Sequence, residues 1–151
     1  MRREYPDRPI VGVGAVGWRD GRVLLVRRGK PPRVGQWSIP GGAQELGETV
    51  EEAARREVRE ETGLELGAVA VIATVDLIDR EPDGRVRYHY TLIDVTAEAA
   101  TGTPRPGGDV DAVAWFTLEE LTPLELWSET RRIIRLAAER QAVPSPAPGP
   151  G

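Results

Sequence analysis

The sequence contains no cysteine, which excludes disulfide bonds, thiolate catalysis and cysteine metal ligands. Basic residues are not in excess either, since 20 Lys and Arg stand against 24 Asp and Glu and the formal net charge is −4. This balance gives the chain no general attraction to nucleic acid or to an anionic membrane, so neither is expected as a partner. An anionic substrate would therefore have to be held by local arginines or by a metal ion.

Long apolar runs are also missing. No stretch approaches the roughly 20 apolar residues that span a bilayer, and the first residues lack the apolar segment of a signal peptide. Together with the absence of cysteine, this favours a reducing cytoplasm as the location. Apolar residues make up 40% of the chain and charged residues 29%, which is typical of one globular domain. We expect that domain to cover residues 1–141 and a disordered tail rich in Pro, Gly and Ala to cover 142–151.

The pattern of apolar residues and turn signals predicts a mixed sheet with two helices. Asp20-Gly21 and Asp83-Gly84 are hairpin turn signals. Strands are predicted at residues 10–18, 23–26, 69–78, 86–95 and 113–116. Helices are predicted at 49–62 and 126–141, with one helical turn at 118–121. The segment 29–47 is predicted to be mostly loop, and 97–111 is predicted to be a loop. Because strands and helices do not alternate regularly, the fold class is α/β or α+β with layered elements, and a doubly wound nucleotide fold is not expected.

The helix at 49–62 has clear ends. Thr49 and Glu52 have the spacing of a capping box, and Gly63 can end the helix. At about 100° per residue, Glu57, Glu60 and Glu61 fall in one sector roughly 100° wide. Val50, Ala53 and Ala54 share that sector, and Arg55, Arg59, Glu51, Glu52 and Thr62 are predicted to lie on the other side.

Two interpretations of these carboxylates are open. Most acidic runs are solvated surface, but that interpretation places the charges opposite the apolar residues. Here they lie on the apolar side, where three unpaired carboxylates would repel and would be costly to bury. A divalent cation would remove the conflict, and ligands that are all oxygen favour Mg²⁺, Ca²⁺ or Mn²⁺ over zinc.

The residues around the helix follow a longer pattern. From Gly42, five residues precede Glu48, seven more follow, and the chain then reads Arg56-Glu57-Val58-Arg59-Glu60-Glu61-Thr62-Gly63-Leu64. This resembles the Nudix box at every defined position, and the lead-in Gln36-Trp37-Ser38-Ile39-Pro40-Gly41 is also similar to that family. The resemblance implies a Nudix hydrolase with an α/β/α sandwich, in which a mixed, mostly antiparallel curved sheet lies between helices over residues 8–141.

The resemblance also implies roles for residues of the box. Glu57, Glu60 and Glu61 would bind Mg²⁺, with Mn²⁺ as the other candidate ion, and Glu48 is a further candidate ligand. Arg56 resembles the family arginine that holds a box carboxylate. Gly41 and Gly42 would let the loop backbone approach the metal site. Metal ions would neutralise the diphosphate and activate the attacking water.

Residues outside the box carry weaker signals. Among the basic residues Arg27, Arg28, Lys30 and Arg33, we favour Arg27 as a phosphate contact. Trp37 either stacks on a nucleobase or packs its loop onto the core, with packing favoured, and His89 is read as an ordinary strand residue. Asp109 is the first choice for a loop carboxylate that completes the metal site or acts as general base, ahead of Glu98 and Asp111. Trp115 and Trp127 are candidates for core or interface packing.

The box indicates which bond is broken but leaves the attached group open. The segments 37–42, 88–94 and 108–116 are most similar to ADP-ribose pyrophosphatase-like members, although the proline expected soon after the box is out of register at Pro82. The favoured reaction is the hydrolysis of ADP-ribose to AMP and ribose 5-phosphate. The alternatives are a housecleaning nucleoside triphosphate pyrophosphohydrolase and a non-catalytic nucleotide sensor. Members of the family are often dimers, so a homodimer is a further expectation.

Overall fold

The computed structural model describes residues 2–31 and 33–142, with only the backbone of Ala142. The predicted tail at 142–151 lies outside this range except for Ala142, whose backbone is helical. The strands are β1 Ile10–Arg19, β2 Arg22–Arg28, β3 Trp37–Ser38, β4 Gly41–Ala43, β5 Ala70–Arg80, β6 Val86–Glu98 and β7 Val110–Phe116; the helices are α1 Val50–Thr62 and α2 Ser128–Ala142, with a 3₁₀ turn at Glu119–Leu121. In the described part of the chain, neither helix is long and apolar enough to cross a membrane.

The seven strands form one mixed sheet. Its main order is β3-β2-β1-β6-β5, with β4 paired to β1 and β7 paired to β2. The strands β1 and β6 are parallel, whereas the other strand pairs are antiparallel. At the β1–β2 hairpin, Asp20 and Gly21 both have positive φ, as a type I′ turn requires. The expected mixed, mostly antiparallel sheet is confirmed.

Two apolar clusters lie on opposite faces of the sheet. One packs α1 onto the sheet through Ala53, Ala54 and Val58, and the other packs α2 through Ile133 and Ile134. The strands supply both clusters because successive side chains of a strand point to opposite faces. In β1, for example, Val13 and Ala15 belong to the α1 cluster, whereas Val16 and Trp18 belong to the α2 cluster. The result is the three-layered α/β/α sandwich that the sequence predicts.

Some predicted boundaries are wrong. The segment 29–47 is mostly loop, as predicted, and it also contains the short strands β3 and β4. The predicted loop at 97–111 is shorter at both ends, because β6 continues to Glu98 beside β1 and β7 begins at Val110 beside β2. These extensions depend on pairing between distant segments, and the local sequence carries no signal for them.

Candidate active site

Helix α1 is fixed at both ends by its own residues. The Thr49 hydroxyl accepts a hydrogen bond from the Glu52 N–H at 3.0 Å, and the Glu52 carboxylate accepts one from the Thr49 N–H at 3.1 Å. Gly63 adopts the left-handed conformation with φ 75° and ends the helix. The capping box and the glycine stop are therefore confirmed.

The buried side of α1 differs in part from the prediction. Its buried residues are Ala53, Ala54, Val58 and Thr62. Thr62 was expected on the opposite side, but it is buried, and its hydroxyl donates to the Val58 carbonyl at 2.6 Å. Because the buried stripe is rotated toward Val58 and Thr62, Glu57 and Glu61 lie along it, whereas Glu60 falls beyond its edge and its side chain is 55% exposed.

Glu57 and Glu61 form the centre of the site. Glu57 lies against β4, since a β-carbon added to Gly42 would come within 2.5 Å of Glu57 Oε1. Only 13% of the Glu57 side chain is exposed. Glu61 lies one helical turn later, where its carboxylate accepts the Gly41 N–H at 3.2 Å and is near enough to Glu57 for the two charges to interact. Gly42 is thus a position at which any side chain would displace a carboxylate.

The electrostatics of this pair are unfavourable when both groups are charged. Burial, reinforced by the negative charge of Glu57, raises the pKa of Glu61 to about 8. The Gly41 N–H and the positive charge of Arg28 oppose this rise in the pKa. Two half-buried carboxylates one helical turn apart form a place where a positive ion would be stabilised.

Arg56 connects the carboxylates at the outer side of the site. Its Nε and Nη2 donate to the two oxygens of Glu48 at 2.5 and 2.9 Å, and its Nη1 donates to Glu57 at 2.7 Å and to Glu60 at 3.3 Å. The Ala43 carbonyl accepts a further hydrogen bond at 3.0 Å. The Arg56 guanidinium also lowers the pKa of Glu48 to about 2. Arg56 therefore fixes β4, the loop before α1 and Glu57 relative to one another.

Glu48, a candidate metal ligand from the sequence, is bound by Arg56. Both of its oxygens accept from Arg56, and its side chain is 15% exposed. Glu48 Oε1 also accepts the Glu45 N–H at 2.9 Å. In this structure its direct role is to orient Arg56.

The structure places Asp109 in the loop between β6 and β7. The Asp109 carboxylate pairs with Lys30 at 3.0 Å, and both side chains are exposed. Asp111 pairs with Arg27 at 2.8 Å, and Glu98 accepts from Gln141 at 3.1 Å. Within residues 2–31 and 33–142, no three acidic or histidine side chains stand close enough to enclose a metal ion.

The two arginines at the end of β2 have different surroundings. Arg27, the favoured phosphate contact, pairs with Asp111 and lies 5.7 Å from the centre of the Trp37 ring. Arg28 acts electrostatically on Glu61. Because neighbouring residues of a strand face opposite sides of a sheet, Arg28 lies on the α1 side with the carboxylates. The sequence offered both arginines, and only the tertiary arrangement distinguishes them.

Trp37 packs onto the α2 side of the sheet. Its ring meets Phe116 edge to face with centroids 5.1 Å apart. Next to it is an open cavity of about 440 Å³, lined by Arg33, Val34, Gly35, Gln36, Trp37, Pro123, Leu124 and Glu125. Trp115 and Trp127 are both part of the packing of the domain, on the α1 and α2 sides respectively. His89 lies on β6 opposite Ile78, as an ordinary strand residue would.

The fold and the glutamates of α1 together define a class of protein. It is a sandwich of one mixed sheet between two helices, in which half-buried glutamates of one helix lie against the glycines of a short strand. The model of the family described as NUDIX domain matches residues 8–137. The chain therefore belongs to the NUDIX domain family.

Named relatives within this family differ in their substrates. The chain is 35% identical over 116 residues to an ADP-ribose pyrophosphatase of Methanocaldococcus jannaschii, covering 77% of this chain and 66% of that protein. It is 37% identical over 102 residues to the nucleoside triphosphatase NudI of an Enterobacter species, covering 64% of this chain and 72% of that protein. Against other relatives the matched share is smaller, such as 51% of a mutator-type protein named MutT4 from Mycobacterium tuberculosis. The chain thus spans about two thirds or less of several relatives.

Solved structures show the same architecture. A MutT NUDIX hydrolase from Burkholderia pseudomallei superimposes with a TM-score of 0.74 at 36% identity, covering 86% of this chain and 98% of that chain. The NUDIX domain of NrtR from Shewanella oneidensis, solved with ADP ribose, superimposes with a TM-score of 0.74 at 24% identity, covering 90% of each chain. At that identity the second likeness concerns the fold alone.

Proposed function

We propose that the protein hydrolyses a diphosphate linkage in a nucleoside diphosphate derivative, with Mg²⁺ as cofactor and Mn²⁺ as a substitute. The observation that carries the proposal is the placement of Glu57 and Glu61 one helical turn apart on the half-buried side of α1, where Glu57 lies against Gly42, Glu61 accepts the Gly41 N–H, and Arg56 donates to Glu57. Two neighbouring carboxylates suit Mg²⁺, which keeps several waters and takes one or two carboxylates together with substrate phosphates.

The proposed chemistry assigns a task to each group. The bound ion would neutralise the diphosphate and lower the pKa of the attacking water. Glu57 and Glu61 would hold the ion together with Glu60 from the exposed edge, and one of the three carboxylates would accept the proton of the water. The water oxygen bonds to one phosphorus while the bond from that phosphorus to the bridging oxygen breaks. Both products leave as phosphomonoesters.

Other residues position these groups. Arg56 holds Glu57 in place and is itself held by Glu48, so Glu48 acts through Arg56. The Gly41 N–H keeps one oxygen of Glu61 on the inner side of the helix. Arg28 provides positive charge close to Glu61, where a phosphate would lie, so we propose Arg28 as a phosphate contact beside the earlier choice of Arg27. Stacking of a base on Trp37 and completion of the site by Asp109 stay predictions.

We propose ADP-ribose as the first substrate to test, with AMP and ribose 5-phosphate as products. The Methanocaldococcus relative named ADP-ribose pyrophosphatase supports this choice. The relative named nucleoside triphosphatase supports the alternative, a nucleoside triphosphate pyrophosphohydrolase that releases a monophosphate and pyrophosphate. A cytoplasmic location and a homodimer stay predictions.

A substrate panel with Mg²⁺ tests the proposal. ADP-ribose, other nucleoside diphosphate sugars and the nucleoside triphosphates are incubated with the protein, and released nucleotides are separated by chromatography. ADP-ribose turnover that stops with EDTA is the expected result. Preference for a triphosphate selects the alternative substrate class. Tight nucleotide binding without any product contradicts the enzymatic proposal and indicates a sensor.

A further inference from the structure

The loop that leads into β7 holds the C-terminal end of α1. The Arg105 N–H donates to the Thr62 carbonyl at 2.9 Å, and the Gly107 N–H donates to the Glu61 carbonyl at 3.1 Å. The last four carbonyls of a helix have no partner inside the helix, so a helix end depends on such outside donors. The loop thus completes the turn of α1 that carries Glu60 and Glu61.

Gly107 is the point of closest approach. A β-carbon at this position would lie 2.3 Å from the Glu60 carbonyl oxygen and 3.5 Å from its carbon. The obstacle is helix backbone, which cannot rotate away as a flexible side chain would. Gly107 does not have the positive φ found at its neighbour Gly108. Its lack of a side chain therefore serves the close approach and not the backbone conformation.

This approach matters for the site because Glu60 and Glu61 stand on the last turn of α1. A helix end without partners frays, and its side chains then lose a fixed position. Glu57 is fixed independently, through Arg56 and the packing against Gly42. Arg56 and the Gly41 N–H also contact the side chains of Glu60 and Glu61, so the loop constrains the backbone from which these two side chains extend.

We propose that Arg105–Gly107 is a positioning clamp for Glu60 and Glu61, and that Gly107 is a positioning residue for the hydrolysis. Gly107 acts through the backbone of α1 and does not contact the substrate. The inference rests on the proposed function, since it concerns the same carboxylates. A misplacement of about 1 Å at a reacting group can cost roughly a hundredfold in rate, so a small displacement of this turn is measurable.

The variant Gly107→Ala tests the clamp, and Gly108→Ala is its matched control. Gly108 has φ 61°, and a β-carbon there would meet nothing within 4 Å. Alanine at 108 strains the same loop by about 1–2 kcal/mol without touching the helix. The two variants therefore separate a strained loop from a displaced helix end.

Three quantities are measured for both variants and for the unchanged protein: Mn²⁺ affinity without substrate by electron paramagnetic resonance, kcat and KM at saturating Mg²⁺, and the unfolding midpoint. We expect Gly107→Ala to weaken Mn²⁺ binding at least about threefold and to lower kcat at least about tenfold, with KM within about threefold. Gly108→Ala should lose stability but keep Mn²⁺ affinity and kcat within about twofold. Equal effects of the two variants on affinity and kcat would overturn the proposal.

A second measurement covers the case in which Gly107→Ala does not fold. Coupling between two sites is reciprocal, so Mg²⁺ binding must slow hydrogen exchange of the peptide containing the Arg105 and Gly107 amides. The measurement uses an Asp109→Asn background, because direct binding of Asp109 could also order this loop. Unchanged exchange on adding Mg²⁺ overturns the clamp. A protein that neither binds metal nor hydrolyses any substrate contradicts the proposed function instead, so the two failures are distinguishable.

Discussion

The two helices cover opposite faces of the same sheet with different kinds of contact. Helix α1 buries small residues such as Ala53 and Ala54, which allow it to lie close to the sheet while Glu57 reaches β4. Helix α2 buries Ile133 and Ile134 against Trp18 and Leu25. Helix α1 carries charged side chains beside its apolar stripe, whereas α2 contributes large apolar side chains to the core. This division predicts that stability and activity can be changed separately.

The largest effect is expected on the α2 side. Ile133→Ala removes a side chain that is 1% exposed and leaves a cavity, which should lower the free energy of unfolding by about 2–5 kcal/mol. Because Ile133 is far from the glutamates in the layered order, kcat measured well below the unfolding temperature should stay within about twofold. Urea unfolding and steady-state kinetics on the same preparation check both parts. A loss of kcat while the protein is fully folded would show that stability and activity cannot be changed separately through the two helices.

On the α1 side, substitutions are expected to lower activity more than stability. Glu57→Gln and Glu61→Gln should each lower kcat by at least roughly a hundredfold, the scale of acid–base and metal-binding contributions. Glu61→Gln should not destabilise the fold, because burial and the charge of Glu57 already oppose the ionised form of Glu61, whereas Glu57→Gln also loses the charge that is paired with Arg56. Glu65→Gln is the control, because Glu65 pairs with Arg59 on the exposed surface after the helix. Near wild-type kcat in both site variants would remove the assignment of these residues.

A buried carboxylate on the α2 side allows the comparison to be sharpened by pH. Asp94 is 5% exposed, and burial raises its pKa to about 6 despite the opposing charge of Arg132. The pKa of the group is higher in the folded than in the unfolded chain, so its ionised form destabilises the fold. This penalty is fully present above pH 6 and disappears as the pH falls from about 6 to the ordinary value of 3.8.

Asp94→Asn should therefore raise the free energy of unfolding by up to about 3 kcal/mol at pH 8, from a pKa difference of about two units. Below pH 4 the protonated acid and the amide are equivalent in charge, so the two proteins should converge. Denaturant unfolding at several pH values measures this difference. A stability gain that is the same at pH 4 and pH 8 would contradict the titration of Asp94.

The smallest predicted effect distinguishes the two arginines of β2. Arg28→Ala should raise KM by roughly tenfold, because it removes positive charge next to Glu61 that would face a phosphate. Arg27→Ala should change KM by less than about threefold, since Arg27 is paired with Asp111 and stacked on Trp37. Kinetics with the preferred substrate give the comparison. The reverse order of effects would restore Arg27 as the phosphate contact.

The parts of the fold that local chemistry determines could be predicted from the sequence. The capping box at Thr49, the stop at Gly63 and the turn at Asp20-Gly21 act over a few residues, and all three are found as expected. The short strands β3 and β4 could not be predicted, because a strand of two or three residues has too few positions to show alternation. They exist because β1 and β2 provide paired edges.

The arrangement of the candidate site residues was only partly predictable, and their roles stay predictions. The spacing placed Glu57, Glu60 and Glu61 on one side of α1, yet the true buried stripe reaches Thr62 and leaves Glu60 at the exposed edge. The contact of Arg56 with a box carboxylate was expected and is found with Glu48, whereas the pairing of Asp109 with Lys30 joins separate loops and depends on the tertiary fold. A helical projection assigns angles around one helix and carries no information on its neighbours.

The parallel pairing of β1 with β6 has a consequence for how the molecule assembles. It joins residues 10–18 to residues 90–98, so the central strand pair closes only after most of the chain is available. Contacts between such distant segments slow folding, because a long loop must close before any pairing is gained. The glycine strand β4, against which Glu57 lies, pairs with this same β1. Substitutions that weaken the β1–β6 pair should thus delay the appearance of activity during refolding more than they reduce its final level.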